Sequence, residues 1–380
     1  MKIGGSLASV AAAALALGGC SGRAAPDRGG ADLREYALGY AERTVPGRNS
    51  CDPKAGEAVH SGSTHEIAFD HKNPGDIWVT GQNYDSLVRV SPGTGKPSFF
   101  SLEAGSGPHG IEYDHGGLIW VGLECMDRVI AIDPARNLDP ARKKLAGQVS
   151  DWPLPAGTRP HGLGIGPDGA IWYTGKKSGR IGRVDPATGR VAEWPLADPS
   201  STPIYVKAGP DGSMWATELT GNRIARITPA GKLFEYDIPF RNSRPIAIVP
   251  GPDGAMWFSE EAGSRVARID DMGRIAEYEV PRPAGQPNML LAGLAFDGAG
   301  NLWVQQYVDQ NVAGPAGEDY IVRIAAAGLK GGPEGLGPDH FTRYPVKTRN
   351  TVMHRIVQGP DKAMWFTEMH ADKLARLTVK

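Results

Sequence analysis

Seven times along the chain a tryptophan sits in a short apolar run just after a Gly/Asp turn. The runs are DIWVT, LIWVG, AIWYT, SMWAT, AMWFS, NLWVQ and AMWFT, around Trp78, Trp120, Trp172, Trp215, Trp257, Trp303 and Trp365. A second stretch follows each one: Ser86 to Val90, Arg128 to Ile132, Arg180 to Val184, Arg223 to Ile227, Arg265 to Ile269, Tyr320 to Ile324 and Lys373 to Leu377. Apolar and polar residues alternate there, which predicts half-buried strands. A strand with a central aromatic closes six of the units: SFFSL at Ser98, SDWPLP at Ser150, AEWPL at Ala192, FEYDIP at Phe234, AEYEVP at Ala276 and TRYPV at Thr342. The last unit stops at Lys380 after its third strand, and its missing outer strand is supplied by Arg34 to Leu38 at the other end of the chain.

A repeat of about 40 to 50 residues means stacked units or blades. A unit shared between the two ends closes a ring and hides the exposed sheet edges. The expected fold is therefore all-β: a seven-bladed β-propeller of four-stranded blades over residues 33–380, with the last blade closed by the N-terminal strand at about 34–38. A solenoid would need polar caps, and none is present. Two excursions, Asp133 to Val149 and Gln306 to His340, exceed a turn, and such loops on a rigid scaffold often carry recognition.

Composition adds the compartment. Met1 and Lys2 precede an apolar, Ala-rich stretch from Leu7 to Leu17 and then Gly18-Gly19-Cys20. A basic start, an apolar run too short to span a bilayer and small residues before a Cys predict a lipoprotein signal peptide over 1–19, with Cys20 as the lipidated residue. Residues 20–32, rich in Gly, Ala, Pro and charge, read as a flexible tether. The expected location is the cell envelope, facing the periplasm or exterior, with membrane contact only through the lipid. In that oxidising setting Cys51 and Cys125 are candidates for a disulfide, and neither has zinc-site spacing. A net charge of -1 and the lack of any Lys/Arg cluster exclude nucleic acid as the expected partner. A monomer is expected.

Each inner strand begins about eleven residues before its Trp, so equivalent positions form a ring around the axis. The ring holds His65, His109, His161, Ile204, Ile246, Ala292 and His354, and the four histidines are consecutive because the last blade adjoins the first. On the same rim are expected the residues three or four after each Trp: Gln82, Glu124, Lys176, Glu218, Glu260, Gln306 and Glu368. Imidazoles beside carboxylates and an ammonium can hold a cation or place a base against a bound carbonyl. The carboxylates Glu218, Glu260 and Glu368 of the WxxE motif recur beside both His and Ile, the distribution of a fold residue. The histidines occupy one sector, the distribution of a site. The Trp residues, the Pro-Asp-Gly turns at Asp168, Asp211 and Asp253 and the third-strand arginines read as fold residues. His60, His71, His115 and His370 fall off the repeat frame. GxSxG, P-loop and HExxH motifs are absent and no GxGxxG reads as a strand-to-helix turn after a strand, which removes support for the hydrolase, nucleotide-binding and zincin readings.

The units GPHGIEYDHGGLIWVGLE from Gly107, RPHGLGIGPDGAIWYTGKKSGRIGRV from Arg159 and TPIYVKAGPDGSMWATELTGNRIARI from Thr202 resemble the repeats of the streptogramin B lyase family, over about residues 64 to 380. That family opens a cyclic depsipeptide by elimination, without water: a histidine removes a proton and a carboxylate-held magnesium ion stabilises the developing charge. The resemblance implies His109 as catalytic base and Glu124 as catalytic residue and metal ligand, with His65 a second metal ligand and Mg2+ the cofactor. His65, His161, His354 and Lys176 are the expected substrate-binding residues, and the partner is a small ester- or lactone-like molecule. Two features depart from the family. Gly107 stands where it has a further metal-binding Glu, so that Glu66, Glu112 or another rim group would have to substitute, and the export signal makes an antibiotic a less obvious substrate. The alternative is a non-catalytic envelope propeller that binds a glycan, peptide or protein through its rim and two long loops. A metal-dependent lactonase would need a carboxylate-rich axis, and the histidine ring argues against it.

Overall fold

The computed structural model describes residues 30–40, 51, 62–70, 75–139, 141, 144–145, 149–314 and 317–379. The signal segment, Cys20, most of the tether, His60 and His71 lie outside them. Among the described residues no helix is long and apolar enough to cross a membrane.

Seven antiparallel sheets follow one another around an axis. Blade 1 is Thr64–Phe69, Ile77–Gly81, Ser86–Ser91 and Lys96–Ser101, and blade 2 is Pro108–Tyr113, Ile119–Leu123, Arg128–Ile132 and Ser150–Pro153. Blades 3 to 6 have inner strands Pro160–Ile165, Pro203–Ala208, Pro245–Pro250 and Met289–Phe296. Blade 7 comprises Met353–Gln358, Met364–Glu368 and Lys373–Val379, with Ala31–Ala37 as its outermost strand. The closing strand thus runs from Ala31 to Ala37, starting earlier than the span of about 34–38 read from the sequence. Ala31 and Asp32 pair with Val379 and Thr378, and Leu33 faces Leu377. The missed residues carry little apolar signal because an outermost strand is only half buried.

The fold residues act as expected. Five of the seven Trp indoles donate to turn aspartates, as Trp215 does to Asp211 and Trp257 to Asp253, both at 3.0 Å, whereas Nε1 of Trp78 and of Trp172 has no partner. Third-strand arginines grip those carboxylates from the other side, as Arg226 does Asp211 and Arg268 does Asp253.

Every inner strand has a register irregularity near its start, between Thr64 and Ile67, Pro108 and Ile111, Pro160 and Leu163, Pro203 and Tyr205, Pro245 and Ile248, Leu291 and Leu294, and Met353 and Ile356. A bulge re-aims a side chain that the pleat would send elsewhere, and the ring residues sit inside these bulges. The freed amide is satisfied by the residue two after the Trp: Thr174 accepts from Gly162 N and Thr367 from Arg355 N. The same hydroxyls donate to the ring carbonyl of the next blade, Thr174 to Ile204 and Thr367 to His65. Gly162, directly after a ring histidine, lets the blades close on the axis, since a Cβ there would lie 2.2 Å from the Ile204 carbonyl oxygen.

The two excursions go to different places. Leu138–Asp139 and Lys144–Leu145 extend the outer edge of blade 1, with Lys144 pairing Ser101. The second is split by strand Tyr320–Ile324. Its later part carries helix Ala326–Lys330, and Leu329 and Leu336 pack on the core beneath blades 4 to 6. Strands alternate in direction, so loops from second to third strands share the histidine rim and loops from third to fourth strands lie on the other. Of the described residues of the two excursions, those on the rim of the histidines are Val308 to Gly314 and Gly317 to Asp319.

Candidate active site at the axial rim

The four bulges bring the four imidazoles together. Ring centroids are 4.7 Å apart for His65 and His109, 3.6 Å for His109 and His161, and 5.1 Å for His65 and His354. His354 is also 5.3 Å from His109. His109 is 2% exposed, His161 6% and His65 8%. Three of the rings have a carbonyl at Nδ1: Ser63 O for His65 at 2.8 Å, His161 O for His109 at 3.1 Å and Ile204 O for His161 at 3.0 Å. A carbonyl only accepts, so each Nδ1 carries the proton and each Nε2 keeps its lone pair. Burial disfavours the imidazolium. It pushes His65 down to about 3, with His354 adding to the shift, and holds His109 and His161 well below the ordinary histidine range, with like charges nearby adding. These are neutral bases at physiological pH.

Glu124 opens the short turn Glu124–Met126 at the end of its strand and is 2% exposed. Gln82 Nε2 donates to its Oε2 at 2.8 Å, and Lys176 Nζ lies 3.4 Å from its Oε1. Burial raises the Glu124 pKa, and Lys176 opposes that shift. His109, Glu124 and His161 each present a ligand atom within 4.8 Å of the others. The pairing of Glu124 with His65 expected for a metal is not this grouping. His354 turns to Glu66, with Nδ1 3.1 Å from its Oε1.

The rest of the expected rim needs correction. Glu218, Glu260 and Glu368 do not converge on the axis: the first two are set beside Glu235 and Glu277 of their blades' outer strands and Glu368 near Glu35 of the closing strand. Gln306 Nε2 donates to Pro281 O. Side chains alternate along a strand, so the residue three after the Trp faces into the blade stack and the residue four after it faces the rim. Gln82, Glu124 and Lys176 are in the second register. In blades 5 to 7 that register holds Glu261, Tyr307 and Met369, which line an open cavity of about 780 Å³ together with His65, Gln82 and Arg244. Arg244 Nε donates to Glu261 at 2.6 Å and Tyr307 OH donates to it at 3.1 Å. Asp309, Gln310 and Asn311 of the second excursion complete this wall. Of the four histidines, His65 alone lines it.

A second group, below the rim, was not singled out as a unit. Tyr205 OH donates to Glu66 Oε1 at 2.6 Å and Arg355 Nε is 3.5 Å from Glu66 Oε2. Burial alone would raise the Glu66 pKa, but Arg355 and His354 hold it well below the ordinary range. Lys207 pairs with Glu112. Charged residues in otherwise apolar inner strands were the available signal.

Magnesium, implied by the resemblance, does not fit these donors. Mg2+ takes oxygen ligands in a near-octahedral shell, whereas one carboxylate stands here between two imidazoles. Gly107 (φ +56°) cannot be exchanged for the missing Glu, because a Cβ there would lie 2.3 Å from Cys125 Sγ, which is bonded to Cys51. The substitutes are engaged, Glu66 by Tyr205, His354 and Arg355 and Glu112 by Lys207.

A family model described as the virginiamycin B lyase family matches residues 135–339. A solved streptogramin B lyase superposes with a TM-score of 0.71 at 23% identity, over 92% of this chain and 98% of that one. Selenomethionine-substituted virginiamycin B lyase from Staphylococcus aureus gives 0.70 at 23%, over 92% and 100%. A catalytically inactive variant of that enzyme, solved with quinupristin, gives 0.69 at 22%, over 92% and 100%. At these identities the likeness to the solved structures is one of fold. No curated protein matches the sequence.

Proposed function

The chain belongs to the virginiamycin B lyase family, and from that premise we propose that it is an exported carbon–oxygen lyase acting on a small ester- or lactone-like molecule. The observation that carries this reading is the set of buried, neutral imidazoles with Nε2 lone pairs free, beside the Glu124 and Lys176 pair. Elimination needs a base that is unprotonated at working pH and a fixed positive group where negative charge develops. His109 Nε2 takes the proton from the carbon adjacent to the one that bears the ester oxygen. The C–H pair becomes a C=C bond, and the C–O pair leaves with the oxygen as a carboxylate. Lys176 stabilises the departing oxygen and Glu124 the imidazolium left on His109. Water is not consumed, so product and substrate of a ring-opening have equal mass. Mass spectrometry on a panel of cyclic esters tests this: an added water, or no ring-opening with any member, refutes it.

The signal segment and Cys20 support acylation and envelope anchoring. Labelling with a fatty acid that disappears in Cys20→Ala is the expected result.

A second reading, a non-catalytic binder of a glycan, peptide or protein, is favoured by one observation. The open cavity is walled by Arg244, Glu261, Tyr307 and Asp309 to Asn311, while His109 and His161 are almost wholly buried. It requires that replacing Asp309 to Asn311 by glycines abolishes ligand binding while His109→Ala leaves it intact.

A further inference from the structure

The direction of the closing strand sets the side from which the chain enters the ring. Ala31 pairs with Val379 and Ala37 with Lys373, and Leu38 N donates to Asp372 O at 3.0 Å. Met369 and His370, just before Lys373, line the open cavity beside His65. Ala37 is therefore at the histidine rim. Ala31 is at the opposite rim, a strand of seven residues away, or about 23 Å. Cys20 lies eleven positions before Ala31. As a flexible coil such a stretch spans about 18 Å, and fully extended about 36–40 Å. A membrane held at Cys20 is within easy reach of the rim where Ala31 starts. Placing the histidine mouth against it would stretch the tether along the whole blade height and past the loops of both rims, close to its limit.

The surfaces of the two rims agree with this. On the rim of Ala31 a cavity of about 800 Å³ between blades 5 and 6 is lined by Trp257, Tyr278, Phe296 and Leu329, with Lys330 beside them. Met272, in the loop between strands Arg265–Ile269 and Ile275–Glu279 of blade 5, is 72% exposed. Apolar surface of this kind marks contact with a partner or a membrane. Exposed Asp271 and Glu334 offset exposed Arg274 and Lys330 there, so an anionic lipid is not called for. The wall at the histidine mouth is polar instead, built from Arg244, Glu261 and Asp309 to Asn311.

We propose that the rim carrying Ala31 and Met272 faces the bilayer and that the histidine mouth faces the aqueous phase, so that a ligand reaches the imidazoles from water and not from the membrane. The orientation rests on the anchoring at Cys20 given above and holds whether the bound molecule is eliminated or only held.

The test uses the chain from Cys20 onward in phosphatidylcholine vesicles whose headgroups carry an energy-transfer acceptor. p-Azidophenylalanine replaces Met272 in one variant and Val312 in another, both exposed, and a donor dye is attached to the azide. The donors stand on opposite rims, so emission from position 272 is expected to fall at least about twofold further than emission from 312. Equal transfer from the two, or stronger transfer from 312, overturns the proposal. If cells leave Cys20 without an acyl chain, a maleimide phospholipid is coupled to its thiol, which the Cys51–Cys125 bond leaves as the free one. The same order of transfer is expected. Absence of the acyl chain sinks the anchoring reading alone, and the wrong order of transfer with either anchor sinks the orientation alone.

Discussion

At the scale of single residues, His109 is buried, neutral and fixed by its own Nδ1 hydrogen bond, which is what a general base requires. If it is the base, His109→Ala lowers kcat by about 10² to 10⁴ with little change in melting temperature. A rate assay and a thermal melt on the same sample check both halves. Glu66 has a different job. It is the carboxylate against the buried Arg355, and Glu66→Gln leaves that guanidinium without its counter-charge. Breaking a buried pair from one side costs about 3–5 kcal/mol, so denaturant unfolding of Glu66→Gln is expected to show a loss of that order. A change under about 1 kcal/mol would mean that solvent in the tunnel compensates Arg355.

At the scale of elements, the inner-strand bulge depends on the hydroxyl two residues after each Trp. Thr174 accepts from Gly162 N at 2.9 Å and donates to Ile204 O at 3.1 Å, so one side chain satisfies a bulge and joins two blades. Thr174→Val keeps the shape and leaves a buried amide unmade, for an expected loss of about 1–3 kcal/mol in chemical denaturation. The Cys51–Cys125 bond closes a separation of 74 residues. By chain entropy its reduction removes up to about 4 kcal/mol, to be seen as a lower melting temperature in reductant that Cys51→Ala reproduces. The closing strand Ala31–Ala37 covers the edge of Lys373–Val379. A chain beginning at residue 40 is therefore expected to aggregate, because that edge would be open for pairing, and size-exclusion chromatography reads the outcome.

At the scale of the whole molecule, buried groups in two places give stability opposite slopes with pH. Burial, with neighbouring carboxylates adding to it, raises Glu218, Glu260 and Glu368 from 4.5 to about 8. Folded protein then holds protons that the unfolded chain has lost, so their contribution is full below pH 4.5 and is lost as pH rises to about 8. His65 runs the other way. Its folded pKa is depressed from 6.5 to about 3, so its contribution is full above pH 6.5 and is lost as pH falls through that window. A stability maximum is expected between about pH 4.5 and 6.5 in metal-free protein. Melting temperature measured across pH should decline on the alkaline side, and the triple change of Glu218, Glu260 and Glu368 to Gln should flatten that limb. An unchanged slope would show that these carboxyls are not the protonated groups.

The sequence by itself determined the architecture, because the features that specify it are local and repeated. The Trp runs, the Pro-Asp-Gly turns and the period-two strands each appear in unit after unit, and the strand missing from blade 7 stands at the chain's other end. The arc of His65, His109, His161 and His354 was legible for the same reason, since equal offsets from equivalent tryptophans place equivalent side chains on one ring. Tertiary structure alone decided which neighbour each of those side chains meets. One residue of register separates Glu260, stacked between blades, from Glu261, at the mouth, and a strand's alternation cannot be assigned to a face until the sheet is packed. Nor does spacing show that Cys125 fills the space beside Gly107, that Lys176 reaches Glu124, or that Glu66 is taken up by Tyr205, His354 and Arg355. The first contact needs blade 2 folded, and the other two join residues of different blades and exist only once the ring has closed.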